Sequence, residues 1–104
     1  MTGHGDLQPD FSSRFPGDPV AQTRHILEQV RRLLAEAGYS IHDIVRHDWT
    51  FTSGVTQAQF GEILGVWADF LADADPKPAS GTLRYVDRLA APDMMVEYEF
   101  LIAR

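Results

Sequence analysis

Two stretches of this chain carry apolar residues at helical spacing, and a stretch of strict alternation lies between them. That order, more than any single motif, limits what the chain can fold into. In the first stretch Ile26, Val30, Leu33 and Leu34 repeat at helical intervals, extended by Leu27 and Ala37. Asp18 reads as its N-cap, Pro19 as its first helical residue and Gly38 as its C-cap. The rest of its surface, Gln22, Arg24, Glu28, Arg31, Arg32 and Glu36, reads as a solvated face. In the second stretch, capped near Thr56, residues Phe60, Ile63, Leu64, Trp67, Phe70 and Leu71 make another apolar stripe.

Between the helices, residues 40–43 form a short turn and residues 44–52 alternate. Val45, His47, Trp49 and Phe51 make one face, while Arg46, Asp48, Thr50 and Thr52 make the other, which is a strand with one apolar side. Ser53-Gly54 ends it. Further strands are expected over residues 81–87 and 94–103. In the last one Val96, Tyr98, Phe100 and Ile102 share a face. Two amphipathic helices need an apolar sheet face to cover, and these strands supply it. The expected fold is a two-layer α/β (α+β) sandwich with both helices on one face of a mixed sheet. The opposite face then carries Arg46, Asp48, Glu97 and Glu99, and is either wet or packed against another subunit.

One domain is expected over residues 1–104, with 1–17, rich in Gly, Pro, Asp and Ser, read as a loop. A chain of this size buries only about 60–70% of its unfolded surface, so association between copies would help it. There is no cysteine, which excludes disulfides, thiolate catalysis and Cys-type metal sites. The four histidines show no metal-ligand spacing, and neither a metal nor a cofactor is expected. No apolar run is long enough for a membrane helix and the N-terminus has no signal-peptide pattern, so a cytoplasmic protein is the expectation. Net charge is −6, and the nine Lys and Arg residues form no basic stripe. A nucleic-acid partner is therefore not expected, because such binding rests on cations displacing phosphate counterions.

Three segments together resemble the RidA/YjgF family of imine and enamine deaminases. The run AQTR opens the first helix, and a G-x-S-x-x-D-x-V turn, here Gly38 to Val45, leads into the strand. VWADFL resembles the end of the family's second helix. The tail PAS...RLAAPDMMVEYEFLIA resembles its proline-containing turn followed by a V-E-x-E strand. The resemblance implies a chorismate-mutase-like fold, a homotrimer, and substrate pockets between subunits. Two departures from the family accompany it. Family members begin with a β-hairpin ahead of the segment TGHGDLQPD. Thr2-Gly3 stands where the second strand of that hairpin ends, so the hairpin is expected to be absent or to lie upstream.

The other departure concerns the substrate. Deaminating members carry an arginine just after the proline turn, whose guanidinium forks onto a substrate carboxylate in a way lysine cannot copy. Here the turn reads Lys77-Pro78-Ala79-Ser80-Gly81-Thr82, and the arginine position falls on Ser80 or Gly81. Leu64 takes the place of a helix asparagine. What remains is Glu97, first Glu of V-E-x-E, which the resemblance makes the catalytic acid–base group. From the residues alone, Glu97 reads equally as a surface carboxylate or an arginine's partner. Arg84 is the candidate substitute anion binder, or else a salt-bridge partner of Asp48 or Glu99. Thr82 and Tyr85 are candidate pocket donors, and His4 a candidate acid or base on a loop bordering the pocket. His47, Trp49 and Trp67 read as core. Two functions follow. One is hydrolytic deamination of a small imine, enamine or related intermediate other than a simple 2-imino acid. The other is a non-catalytic ligand-binding or regulatory homotrimer on the same fold.

Overall fold

A computed structural model describes residues 4, 5, 8 and 12–103. Its elements run α1 (Pro19–Glu36), a 3-10 turn (Ile41–Asp43), β1 (Ile44–Thr52), α2 (Gln57–Phe70), β2 (Ala79–Val86) and β3 (Val96–Ile102). The helix ends form where the sequence marks them. Asp18 Oδ1 accepts from the Ala21 backbone N–H at 3.0 Å, and Gly38 takes a φ of 83° just past the end of α1. Thr56 and Gln59 make a reciprocal capping box at the start of α2.

The sheet has the order β2-β1-β3, with β1 parallel to β2 and antiparallel to β3. Both helices lie on one face. Between helices and sheet sits a core that includes Ile26, Val30, Leu34, Phe51, Ile63, Trp67, Val96 and Tyr98. Tyr98 ties β3 to α1 by polar bonds as well. Thr23 Oγ1 donates to the Pro19 carbonyl at 2.8 Å, so its 2.7 Å contact with the Tyr98 hydroxyl has Tyr98 as donor.

Three expectations change. Val45 does not share the buried face with His47, Trp49 and Phe51. The β1–β3 register shifts between Ile44 and Arg46, which turns Ile44 inward and leaves Val45 44% exposed. Gln22 is not solvated but fully buried. Its amide nitrogen donates to the carbonyls of Phe15 (2.8 Å) and Asp93 (2.9 Å), and its amide oxygen accepts from the Met95 N–H at 2.8 Å. One side chain thus satisfies three backbone groups in segments without strand partners of their own. The last strand begins at Val96, two residues later than the pattern suggests, because residues 93–95 are held by Gln22 and by Thr52. The hairpin expectation rests on Thr2 and Gly3, which lie outside the described residues.

Candidate functional site

The centre of the sheet positions two separate sets of side chains. Alternation along β1 sends His47, Trp49 and Phe51 towards the helices and Asp48 and Thr50 the other way. On the helix side, Trp49 Nε1–H donates to His47 Nδ1 at 2.8 Å. The two groups meet because residues two apart on a strand share a face. The His47 ring also lies against Trp67, with centroids 4.5 Å apart, and Trp49 stacks on Trp67 at 5.0 Å. His47 is buried, and burial holds its pKa below the ordinary histidine value despite the opposing influence of Asp48. An Nδ1 that accepts a hydrogen bond carries no proton, so the neutral ring has its proton on Nε2.

This aromatic floor underlies a cavity of about 180 Å³ between β2 and α2. His47 and Trp49 line it from β1, Phe60 and Leu64 from α2, and Ser80, Gly81, Thr82 and Leu83 from β2. The two residues that could replace the family arginine, Ser80 and Gly81, therefore border it, and so does Leu64. None of the lining side chains is a lysine or arginine.

The wall formed by β2 is irregular, and the cause is local. The register shifts between the pairs His47–Ser80 and Trp49–Leu83, so Gly81 and Thr82 together stand opposite Asp48. The Asp48 carboxylate fills that gap. It accepts from the Thr82 backbone N–H at 2.6 Å and from the Arg46 guanidinium at 3.0 Å. The Thr82 N–H, followed by Arg46, holds the Asp48 carboxyl below the usual carboxylate range. A Cβ at position 81 would run into both the carboxylate and the guanidinium, so glycine lets them lie where they do and a larger residue would displace them.

On the opposite sheet face, Glu97 and Arg84 both pair with Thr50, one from each side. Burial, and next the charge of Glu99, push the Glu97 carboxyl above the usual glutamate value. Arg84 forms no ion pair with Asp48 or Glu99 among the described residues; Asp48 pairs with Arg46 instead, and Arg84 acts on it only through its charge. Tyr85 pairs with Phe51 and sets its ring edge-on to it at 5.9 Å, which puts it on the helix side. His4 lies at the far edge of the sheet. It bridges to Tyr98 by two backbone bonds (2.8 and 2.9 Å), its ring meets Phe100, and burial lowers its pKa. Within one chain the sheet thus brings Glu97 and Arg84 to one face, while Tyr85 and His4 lie on the other, at opposite edges. Thr82 reaches Asp48 through its backbone and also borders the cavity.

The sequence places His47 in the core, where it is, but does not show that it also borders the cavity. His-x-Trp on one strand face does signal their bond, since a buried indole N–H needs an acceptor and an imidazole two residues away can be one. Among the described residues no group of His, Asp and Glu is arranged to hold a metal ion, and no helix is long and apolar enough to cross a membrane.

The whole chain, residues 1–104, matches the family model described as Endoribonuclease L-PSP, which is the YjgF/RidA family. The chain belongs to this family. Solved structures agree. YyfB of Yersinia pestis, a protein of unknown function of the conserved Rid family, is 25% identical, with a TM-score of 0.77 over 94% of this chain and 71% of that one. YyfA of the same organism, also a Rid-family protein of unknown function, is 21% identical with a TM-score of 0.80, covering 100% of this chain and 78% of its own. A YjgF-family member from Mycobacterium tuberculosis is 24% identical with a TM-score of 0.72, covering 96% of this chain and 73% of its own. The last two establish the shared fold, which this chain forms as two helices on a mixed three-stranded sheet.

Proposed function

We propose that this RidA-family protein hydrolyses a small imine, enamine or related intermediate in a cleft completed by a second copy of the chain. The substrate lacks the carboxylate of a simple 2-imino acid. One observation carries the reading: the cavity has no cation, and Ser80, Gly81 and Leu64 border it where deaminating relatives are expected to have arginine and asparagine.

Glu97 is the proposed catalytic group. Imine carbon accepts water once its nitrogen is protonated. A carboxyl that holds its proton more firmly than an ordinary glutamate suits the delivery of that proton. The ionised carboxylate then takes a proton from the attacking water. The water oxygen bonds to carbon, the regained carboxyl proton passes to the nitrogen, the new hydroxyl returns its proton to the carboxylate as the C–N bond breaks, and ammonia and a carbonyl product leave. Within one chain Glu97 and the cavity lie on opposite sides of the sheet, so a shared cleft requires a partner copy. In support of a homotrimer, β2 is an edge strand that is exposed everywhere but Val86, with Leu83 and Tyr85 uncovered beside Leu64. Arg84, Thr82 and His4 are proposed lining residues of the assembled cleft.

The separation of Glu97 from the cavity also favours a second reading, a ligand-binding homotrimer without turnover. RNA cleavage, the activity named in the family description, is not proposed, since a chain of net charge −6 is repelled by a phosphate backbone. Ammonia release from neutral imines generated in situ, compared with 2-iminopropionate, tests the first reading. The expected result is release from a neutral imine that Glu97→Ala abolishes, with little from 2-iminopropionate. Release that survives Glu97→Ala overturns the mechanism. Saturable binding without release selects the second reading, and sedimentation as a monomer removes the shared cleft.

A further inference from the structure

Resting on the proposed small-molecule cleft, we infer that His47 is its polar recognition residue, donating Nε2–H to a neutral acceptor such as a carbonyl oxygen, with Trp49 fixing the ring in that form. Four observations point there. His47 is the one lining residue whose side chain carries an N–H group in the ring that is not already committed, since the Trp49 indole N–H is spent on His47 Nδ1. His47 Nε2 has no hydrogen-bond partner among the described residues. The ring is held on two sides, by the 2.8 Å bond from Trp49 and by the tilted Trp67 ring with centroids 4.5 Å apart, so the position of its donor is fixed. Of the remaining lining residues Trp49, Phe60, Leu64 and Leu83 are apolar, and β2 adds Ser80, Gly81 and Thr82. A small, mostly apolar cavity with a few polar groups, one of them held in a fixed ring, is a common form of ligand site.

The same geometry sets the charge of the ligand. Protonating His47 at Nδ1 would turn that nitrogen's hydrogen towards the Trp49 N–H, donor against donor. The Trp49 bond therefore keeps the ring neutral, and His47 is no substitute for the lost arginine. At about 180 Å³ the cavity lies below the range of drug-sized sites, roughly 300–1,000 Å³, so the ligand is small. A compact neutral carbonyl, amide or imine compound fits, and a carboxylate does not. In the imine reaction the carbonyl product would be the form that takes this hydrogen bond.

Benzamide and benzoate serve as shape-matched probes, neutral and anionic. Side-chain 15N spectra of the full chain report the His47 tautomer and its Nε2–H directly. The expected result is a neutral Nε2–H ring at pH 7 whose signal shifts saturably with benzamide, with benzoate binding at least tenfold more weakly. His47→Phe keeps an aromatic ring on Trp67 and removes the donor. It should weaken benzamide about three- to tenfold, the worth of one neutral hydrogen bond. Trp49→Phe should raise the His47 pKa and narrow the gap between the two probes below pH 6, which a purely structural tryptophan would not do. Equal or tighter binding of benzoate, an Nδ1–H ring in the unaltered protein, or no shift with either probe overturns the inference. Benzamide binding that depends on His47 without turnover of any imine leaves it standing and rejects the deaminase. Imine turnover indifferent to His47→Phe rejects this inference alone.

Discussion

The carboxylate of Asp48 occupies the space that a side chain at Gly81 would need. The two sit on neighbouring strands where the β1–β2 register slips, and the carboxylate bridges the slip to the Thr82 N–H at 2.6 Å. Gly81→Ala should therefore displace Asp48 and leave the Thr82 N–H without its acceptor. Urea unfolding should show a loss of about 0.5–1 kcal/mol, because water can replace the acceptor at this exposed bond. The double variant with Asp48→Ala removes the clash, so the two losses should fall short of additive, which a double-mutant cycle reads. Full additivity would mean that the two side chains are not coupled.

Gln22 anchors the turn at residues 93–95 and the segment around Phe15 to α1 through three backbone groups. Gln22→Ala leaves the Met95 N–H without its acceptor, takes one of two donors from each of the Phe15 and Asp93 carbonyls, and opens a void. A loss of about 2–4 kcal/mol is expected from unsatisfied buried groups and the cavity together. Gln22→Glu should also destabilise, because a carboxylate cannot donate to the carbonyls of Phe15 and Asp93. Hydrogen exchange at the Met95 amide should rise in both variants.

Burial lowers the His47 pKa, so the unfolded chain takes up a proton that the folded chain refuses. Stability should then fall as pH drops below the ordinary histidine value of 6.5, and stop falling for this group below its folded pKa. His4 is shifted the same way and adds to the slope. His47→Phe should flatten the fall between pH 6.5 and that lower value without abolishing it. Thermal melts of both proteins between pH 5 and pH 8 check this. Identical slopes would place the titration elsewhere.

How much of this was legible in the sequence depended on whether a signal was local. Asp18, Gly38 and Thr56 mark helix ends through bonds to residues a few positions away, and each does what its type implies. The stripe Ile26, Val30, Leu34 and the run Trp49, Phe51 encode their own burial through period. Gln22 has no such local signature, because the groups it satisfies come from 7 and 71–73 residues away. Val45 alternates correctly in sequence and is still exposed, since a shift against β3 decides its face. The cavity is the same kind of case. Ser80, Gly81 and Leu64 matter because β2 and α2 enclose one space, which no spacing within either segment reveals.

Glu97 illustrates the cost of such a site. Burial and the charge of Glu99 raise its pKa, so ionising this carboxyl is harder in the folded protein than in the unfolded chain. The sign is opposite to that of the histidines. The contribution is most favourable at low pH, where the carboxyl is protonated, and is lost as pH rises from the ordinary glutamate value of 4.5 through the folded pKa. Glu97→Gln keeps the size and removes the charge. It should hold or increase stability at pH 7, by a margin that vanishes below pH 4, while removing any imine turnover. Glu99→Gln should lower the Glu97 pKa and shift the alkaline limb of the activity profile, where the proton donor is lost, in the same direction. A Glu97→Gln protein that is less stable at pH 7 and fully active would show that this carboxylate pairs with a cation across a subunit contact and takes no part in the reaction.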